Sequence, residues 1–227
     1  MERLRGLHSG RIRHAPYRYL LLLLILFLSG YPFFIGSKPG REVLGAFVMA
    51  VLVLGVFSAT RTRLLRAVAI GLAAPAFVLQ IYYLSDRGDV AFFLAGISAA
   101  LVLIFTLGNI LAYVLRLGPV TEDRIAAAVC AYLLIGLLWA GFYAFTDVLV
   151  PESFIALGGG VRKGHFYELV YFSFTTLTTT GYGDIAPVSF EARALANAEQ
   201  LIGIFYIALL IARLTALYRS PGAREEK

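Results

Sequence analysis

Charge is scarce in this chain. Only 15% of its 227 residues are Asp, Glu, Lys or Arg, and 59% are hydrophobic. An ordinary soluble domain carries about 25% charged and about 45–50% apolar residues, so the shortage excludes that class and points to a membrane protein. Cysteine occurs once, as Cys130. That rules out an intrachain disulfide framework, and the surrounding AAAVCAYLL gives the thiol a packing role. The three histidines, His8, His14 and His165, flank apolar runs and do not cluster inside them. No metal-ligating or catalytic constellation follows from them, so neither an enzyme nor a bound cofactor is predicted. The formal charge of +6 comes from short basic clusters between apolar runs. Topology signals have that form, and nucleic-acid-binding patches do not.

What the chain does have is apolar length. A membrane-crossing helix needs roughly 20 mostly apolar residues, and six segments qualify or come close: 17–36, 43–59, 64–84, 90–117, 125–150 and 194–218. Short links carrying Gly, Pro or charge separate them (SKPGRE, TRTR, SDRGD, GPVTEDR). Pro75 predicts a kink in the third. The basic residues before the first helix and the run Leu20–Leu28 imitate a secretory leader. The apolar run continues through Tyr31-Pro-Phe-Phe without a nearby small-residue cleavage site, so a retained helix is expected. With a cytoplasmic N-terminus, the clusters around Arg3–Arg18, Arg61–Arg66, Arg116–Arg124 and Arg213–Lys227 all fall inside. They hold most of the basic residues, so both termini are assigned to the cytoplasm.

Between the last two spans stands YFSFTTLTTTGYGDIAP, residues 171–187. The apolar stretch 165–178 is too short to cross a bilayer, and runs of that length are more often re-entrant. Polar backbone follows it at membrane depth, which survives only where protein buries it or a wet cavity receives it. Gly181 and Gly183 permit positive φ, and a chain so freed can turn successive carbonyl oxygens toward one line. Carbonyls arranged in that way replace a cation's hydration shell.

The core TTTGYGD, with an aromatic-rich short helix before it and IAP after it, resembles the pore signature of tetrameric potassium channels over residues 125–218. The resemblance implies an all-α membrane fold of six transmembrane helices, with a re-entrant pore helix and an extended filter, assembled as a symmetric homotetramer because one filter strand cannot encircle an ion. It divides the chain into a basic cytoplasmic N-terminus (1–16), a four-helix domain (17–117), a pore domain (124–218) and a short tail (219–227). Within the pore domain it implies a pore helix (165–178), a filter (179–184) and an inner helix (194–218). Carbonyls of Thr179, Thr180, Gly181 and Tyr182, continuing to Gly183, would bind K⁺ as the permeant ion. The Thr179 hydroxyl would form the innermost ring, and Asp184 would sit at the outer mouth. Thr180 departs from the commoner Val. Tyr171 and Phe172 occupy places where many members have Trp, so Tyr182 is expected to find another partner, Thr176 of a neighbouring subunit. Thr175 stands where some members carry Glu behind the filter.

Gly203 falls where the family's inner-helix hinge glycine is found, with close helix packing as the alternative use of a small residue. Ile204, Ile207 and Ile211 would line the pore. Glu199 is ionisable within a span, which marks function. Helical geometry sets it roughly 140° from the Ile204 face, so it is expected to brace the pore helix of its own or an adjacent subunit through Thr175 or Thr176, with a snorkelling position near the outer interface as the alternative. The fourth apolar segment contains Arg116 alone, at its cytoplasmic end. A voltage sensor needs several embedded arginines, so steep voltage dependence is not expected. After Tyr218 only RSPGAREEK follows, and no cytoplasmic ligand-sensing domain is expected on this chain. The functional expectation is a K⁺-selective channel in the lipid bilayer of a plasma membrane, by resemblance a prokaryotic inner membrane. Alternatives are a weakly selective cation channel and a potassium-uptake transporter subunit. Such transporters concatenate several filter-like repeats, and this chain has one.

Overall fold

A computed structural model describes residues 16–34, 38–59, 63–85, 88–116, 120–157, 159–160 and 166–218. The basic N-terminus before Pro16 and the tail after Tyr218 lie outside the described residues. The apolar runs fold as helices: α1 (Pro16–Phe34), α2 (Lys38–Ala59), α3 (Arg63–Ser85), α4 (Asp89–Val114), α5 (Glu122–Leu149), α6 (Phe166–Leu177) and α7 (Phe190–Tyr218). Among the described residues, five are long and apolar enough to cross a membrane: α1, α3, α4, α5 and α7. Six spans were expected. In α2 the apolar helix is described over Gly45–Val56. Helix α3 runs through Pro75 without a break in helical assignment.

Helix α5 is the spine. Two-thirds of its apolar window is buried, against about a fifth in α1, α4 and α7. The reason is that α1, α4, α6 and α7 all pack against it. Tyr17, Leu20, Leu24 and Phe27 of α1 meet Ala127, Ala131 and Leu134 of α5 in one continuous apolar core. Thr121 starts α5 in the manner of an N-cap, its hydroxyl accepting from the Arg124 amide at 3.3 Å. Acidic Glu122 and Asp123 stand in the first turn, where the helix dipole favours negative charge.

Three very short strands, which the apolar pattern did not predict, complete the fold. Strand β1 (Phe154–Ala156) pairs antiparallel with β2 (Gly159–Gly160) and with β3 (Ile185–Pro187). Pro187 is tolerated because β3 is an edge strand. This sheet ties the segment after α6 to the segment after α5.

The last helix starts at Phe190, earlier than the expected 194. Ser189 supplies the cap, with its hydroxyl taking the Ala192 amide at 3.1 Å and its carbonyl the Arg193 amide at 3.1 Å. At the far end, α7 is tied to the C-terminus of α4. Arg213 donates to the Leu115 carbonyl and, at 2.5 Å, to that of Arg116. Arg124 of α5 donates to the Tyr113 carbonyl at 3.3 Å and to that of Arg116. Cations at a helix C-terminus satisfy its orphan carbonyls and suit its dipole. Arg213→Gln is expected to weaken the α4–α7 junction by about 1–3 kcal/mol, measured as a lower melting temperature in detergent, with Arg213→Lys recovering part of the loss.

Candidate functional site

The segment 178–184 is held at both ends by backbone hydrogen bonds. At its inner end, the last carbonyls of α6 accept amides from the chain that follows. Thr176 takes Thr179 N at 2.9 Å, and Thr175 takes both Thr180 N at 2.8 Å and Gly181 N at 3.1 Å. At its outer end, the Asp184 carbonyl accepts from Leu157 N at 2.8 Å and Val188 N donates to Ser153 at 2.8 Å. These two bonds extend the β1–β3 ladder. A short irregular strand is thereby suspended between a helix end and a sheet.

Its conformation is unusual. Thr179 has φ 58°, Gly181 φ 55° and Gly183 φ 79°, so alternate residues are left-handed. Glycine accepts that region freely, but for a β-branched residue such as Thr179 it is a genuine outlier. An L-residue held there costs about 1–2 kcal/mol, and strain of this kind collects at functional sites. The alternation has a geometric consequence. In an extended strand successive carbonyls point to opposite sides; alternating the hand of the backbone brings them to the same side.

The candidate side chains divide clearly. Tyr171 stacks on Tyr182, with ring centroids 6.3 Å apart and planes 3° apart. Within the chain, therefore, Tyr182 is partnered by Tyr171. The Tyr171 hydroxyl pairs with the Asp184 carboxylate. Desolvation, followed by that hydrogen bond and the carboxylate charge, pushes the phenol up to about 12, so it remains a donor at neutral pH. Asp184 also takes the Ile185 amide at 3.1 Å. Phe172 does not support Tyr182. It is buried on the opposite side, edge-on to Tyr143 at 4.9 Å and to Phe154 at 5.3 Å. Neighbouring helical positions differ by about 100° around the axis, which separates its role from that of Tyr171. Thr175 and Thr176 act through their carbonyls. The Thr175 hydroxyl turns back to Phe172 O at 2.9 Å. Thr180 Oγ1 lies 2.8 Å from Thr178 Oγ1. Thr180→Val should remove one exposed neutral hydrogen bond, about 0.5–1.5 kcal/mol, measured as a small fall in melting temperature.

Glu199 is fully buried, and its neighbours differ from those expected. It receives Tyr143 Oη on Oε2 at 2.5 Å and meets Ser173 Oγ at Oε1, also at 2.5 Å. Its link to α6 runs through Ser173, because that is the α6 position facing α7; Thr175 and Thr176 lie at other angles. Gly203, expected as a hinge, sits where α7 crosses the end of α6, and a Cβ there would collide with the Leu177 carbonyl. Close approach of two backbones accounts for this glycine without bending. Ile204, Ile207 and Ile211 lie exposed along α7 in the single chain. Ser173, Tyr143 and the β1–β3 sheet were not singled out from sequence. Of these only Ser173 carried a signal, as a polar residue within an apolar short helix.

An ion channel family model matches residues 131–220, which span most of α5, the sheet, α6, the suspended segment and α7. Over this stretch the chain is similar to ion channels. The chain is similar to the inward rectifier potassium channel Kirbac3.1 of Paramagnetospirillum magnetotacticum, 30% identical over 89 residues, which cover 38% of this chain and 30% of that protein. It is also similar to the two pore potassium channel a of Oryza sativa subsp. japonica, 32% identical over 83 residues, covering 37% of this chain and 21% of that protein. The chain therefore spans about a third or less of the length of these curated relatives. Helices α1–α4 fall outside the family match.

Proposed function

We propose that this protein is a homotetrameric potassium-selective channel that conducts K⁺ passively, with Thr179, Thr180, Gly181, Tyr182 and Gly183 of each subunit forming the filter. The observation that carries this reading is the left-handed backbone at 179, 181 and 183, tethered at both ends. A backbone so arranged presents carbonyls on one side, and carbonyls in a ring substitute for the waters of a dehydrated cation. The strained Thr179 fits a site whose geometry is set by function. Helix α6 ends at the inner limit of this segment, so the negative end of its dipole favours a cation there. Four copies are needed because one strand offers ligands on one side only. In the tetramer Ile204, Ile207 and Ile211 line the inner cavity, and their exposure in the single chain is compatible with that place. Two names among the similar proteins are of potassium channels, which supports K⁺ as the permeant ion.

The channel is not steeply voltage-gated in this reading, because α4 contains no arginine ladder. It sits in a plasma membrane with both termini cytoplasmic. A second reading, a cation channel of weaker selectivity, draws on one observation: among the described residues the Tyr171 stack is the ring contact that steadies Tyr182, Phe172 being turned away. Purified protein in liposomes under opposed K⁺ and Na⁺ gradients separates the two. Barium-blocked flux of K⁺ without matching Na⁺ flux supports the first reading, and comparable fluxes of both ions support the second. Flux that requires a driving cosubstrate would reject both and favour a transporter.

A further inference from the structure

Behind the pore helix, five oxygen atoms from three helices form an unbroken row. Tyr143 Oη of α5 lies 2.5 Å from Glu199 Oε2 of α7, and Glu199 Oε1 lies 2.5 Å from Ser173 Oγ of α6. Ser173 Oγ lies 2.7 Å from the Gly136 carbonyl of α5. Tyr143, Ser173 and Glu199 are all 0% exposed. The row has three contacts, and each needs one hydrogen. Tyrosine supplies one, serine supplies one, and the carbonyl can only accept. With an ionised carboxylate, two hydrogens would serve three contacts. One pair of lone-pair oxygens would then face each other in the dry interior, beside a buried charge. Among the described residues no cation forms a salt bridge with Glu199. The groups that face it are the Tyr143 phenol and, farther off, the Tyr132 phenol from α5, and the Ser173 hydroxyl from α6. An unpaired buried charge is costly, and such groups neutralise instead.

We infer that Glu199 is a neutral carboxylic acid serving as a positioning residue. Its own O–H donates to Ser173, Ser173 donates to Gly136, and Tyr143 donates to Glu199. Every acceptor in the row is then met, and α5, α6 and α7 are joined by one continuous hydrogen-bonded chain. Its task follows from where Ser173 stands. Two residues farther along α6, the Thr175 carbonyl holds the amides of Thr180 and Gly181. A chain that fixes the depth and rotation of α6 therefore fixes the suspended segment. Only the consequence for ion flux rests on the channel reading; the protonation itself does not.

The neutral acid has a close mimic. In Glu199→Gln the amide oxygen accepts from Tyr143 and the amide N–H donates to Ser173, which preserves the direction of every bond. Infrared spectra of the reconstituted protein at neutral pH are expected to contain a protonated-carboxyl band that shifts in heavy water and is missing from Glu199→Gln. Thermal melts of the same samples should leave Glu199→Gln close to wild type. Ser173→Ala and Glu199→Leu should each lower the melting temperature by about 2–8 °C. Should Glu199→Gln fail to fold, the band is followed in Ser173→Ala, where loss of its hydrogen-bond acceptor should move it to higher frequency. No carboxyl band, a band that does not move in Ser173→Ala, or a folded Glu199→Gln protein as unstable as Glu199→Leu, overturns the inference. Both readouts are independent of flux, so a folded, banded protein that conducts no K⁺ would count against the channel reading alone.

Discussion

Gly181→Ala is expected to abolish K⁺-selective flux while leaving the protein folded and assembled. Nothing lies within 4 Å of a Cβ built on Gly181 in the chain, so the penalty is one of backbone conformation. Holding alanine at φ 55° costs about 1–2 kcal/mol per copy, or on the order of 4–8 kcal/mol over four copies meeting at one site. The chain escapes that cost by rotating the 181 peptide out of line, and this removes a carbonyl ring from the path. Gly71→Ala is the control. Gly71 is also surrounded by open space but lies within the regular helix α3, where alanine is favoured over glycine by roughly 0.5–1 kcal/mol. Liposome flux and size-exclusion profiles of the two variants should diverge: flux lost in the first, both retained in the second. Full K⁺ flux through Gly181→Ala would remove the left-handed backbone from the mechanism.

The second large effect concerns Gly203, where two physical readings predict opposite signs. If the glycine is there for bending, Gly203→Ala straightens and strengthens α7, gaining roughly 0.5–1 kcal/mol of stability and altering only the opening of the pore. If it is there because α7 presses on the end of α6, the new methyl meets the Leu177 carbonyl. That atom is backbone and has no rotamer to escape into, so the helices must part. Overpacking of this kind costs about 1–3 kcal/mol per subunit, and it displaces the helix whose last carbonyls hold Thr179, Thr180 and Gly181. We expect a lower melting temperature together with loss of selective flux. A variant that melts higher than wild type and changes only its open fraction would restore the hinge.

The sequence made the broad outline legible because lipid imposes simple rules. Long apolar runs separated by Gly, Pro and charge marked the helices, and a polar Gly-rich segment after a short apolar one marked the re-entrant loop. Side-chain partners were less accessible. Tyr171 and Phe172 are adjacent in sequence, yet one faces Tyr182 and the other faces Tyr143; the choice depends on how α6 lies against α5, which no local pattern encodes. Glu199 was recognisable as an ionisable group inside a span, but selecting Ser173 over Thr175 or Thr176 required the crossing of α6 and α7. Strands of two or three residues, one of them Gly159–Gly160, are too short to display alternation. They form because their amides need partners once the chain has been brought there. Gly203 was noticed for its position, and its contact with Leu177 O emerged only from packing.

The account's central claim is that four copies of the 179–183 backbone meet on one axis and replace the water around K⁺. An experimental structure of the membrane-embedded assembly, determined in thallium in place of potassium, tests it most directly. The account predicts a fourfold particle with a file of strong density on its axis, ringed by the carbonyl oxygens of Thr179, Thr180, Gly181 and Tyr182. An assembly in which Thr179–Gly183 lies away from the symmetry axis, or carries no axial density with its oxygens turned outward, would contradict it.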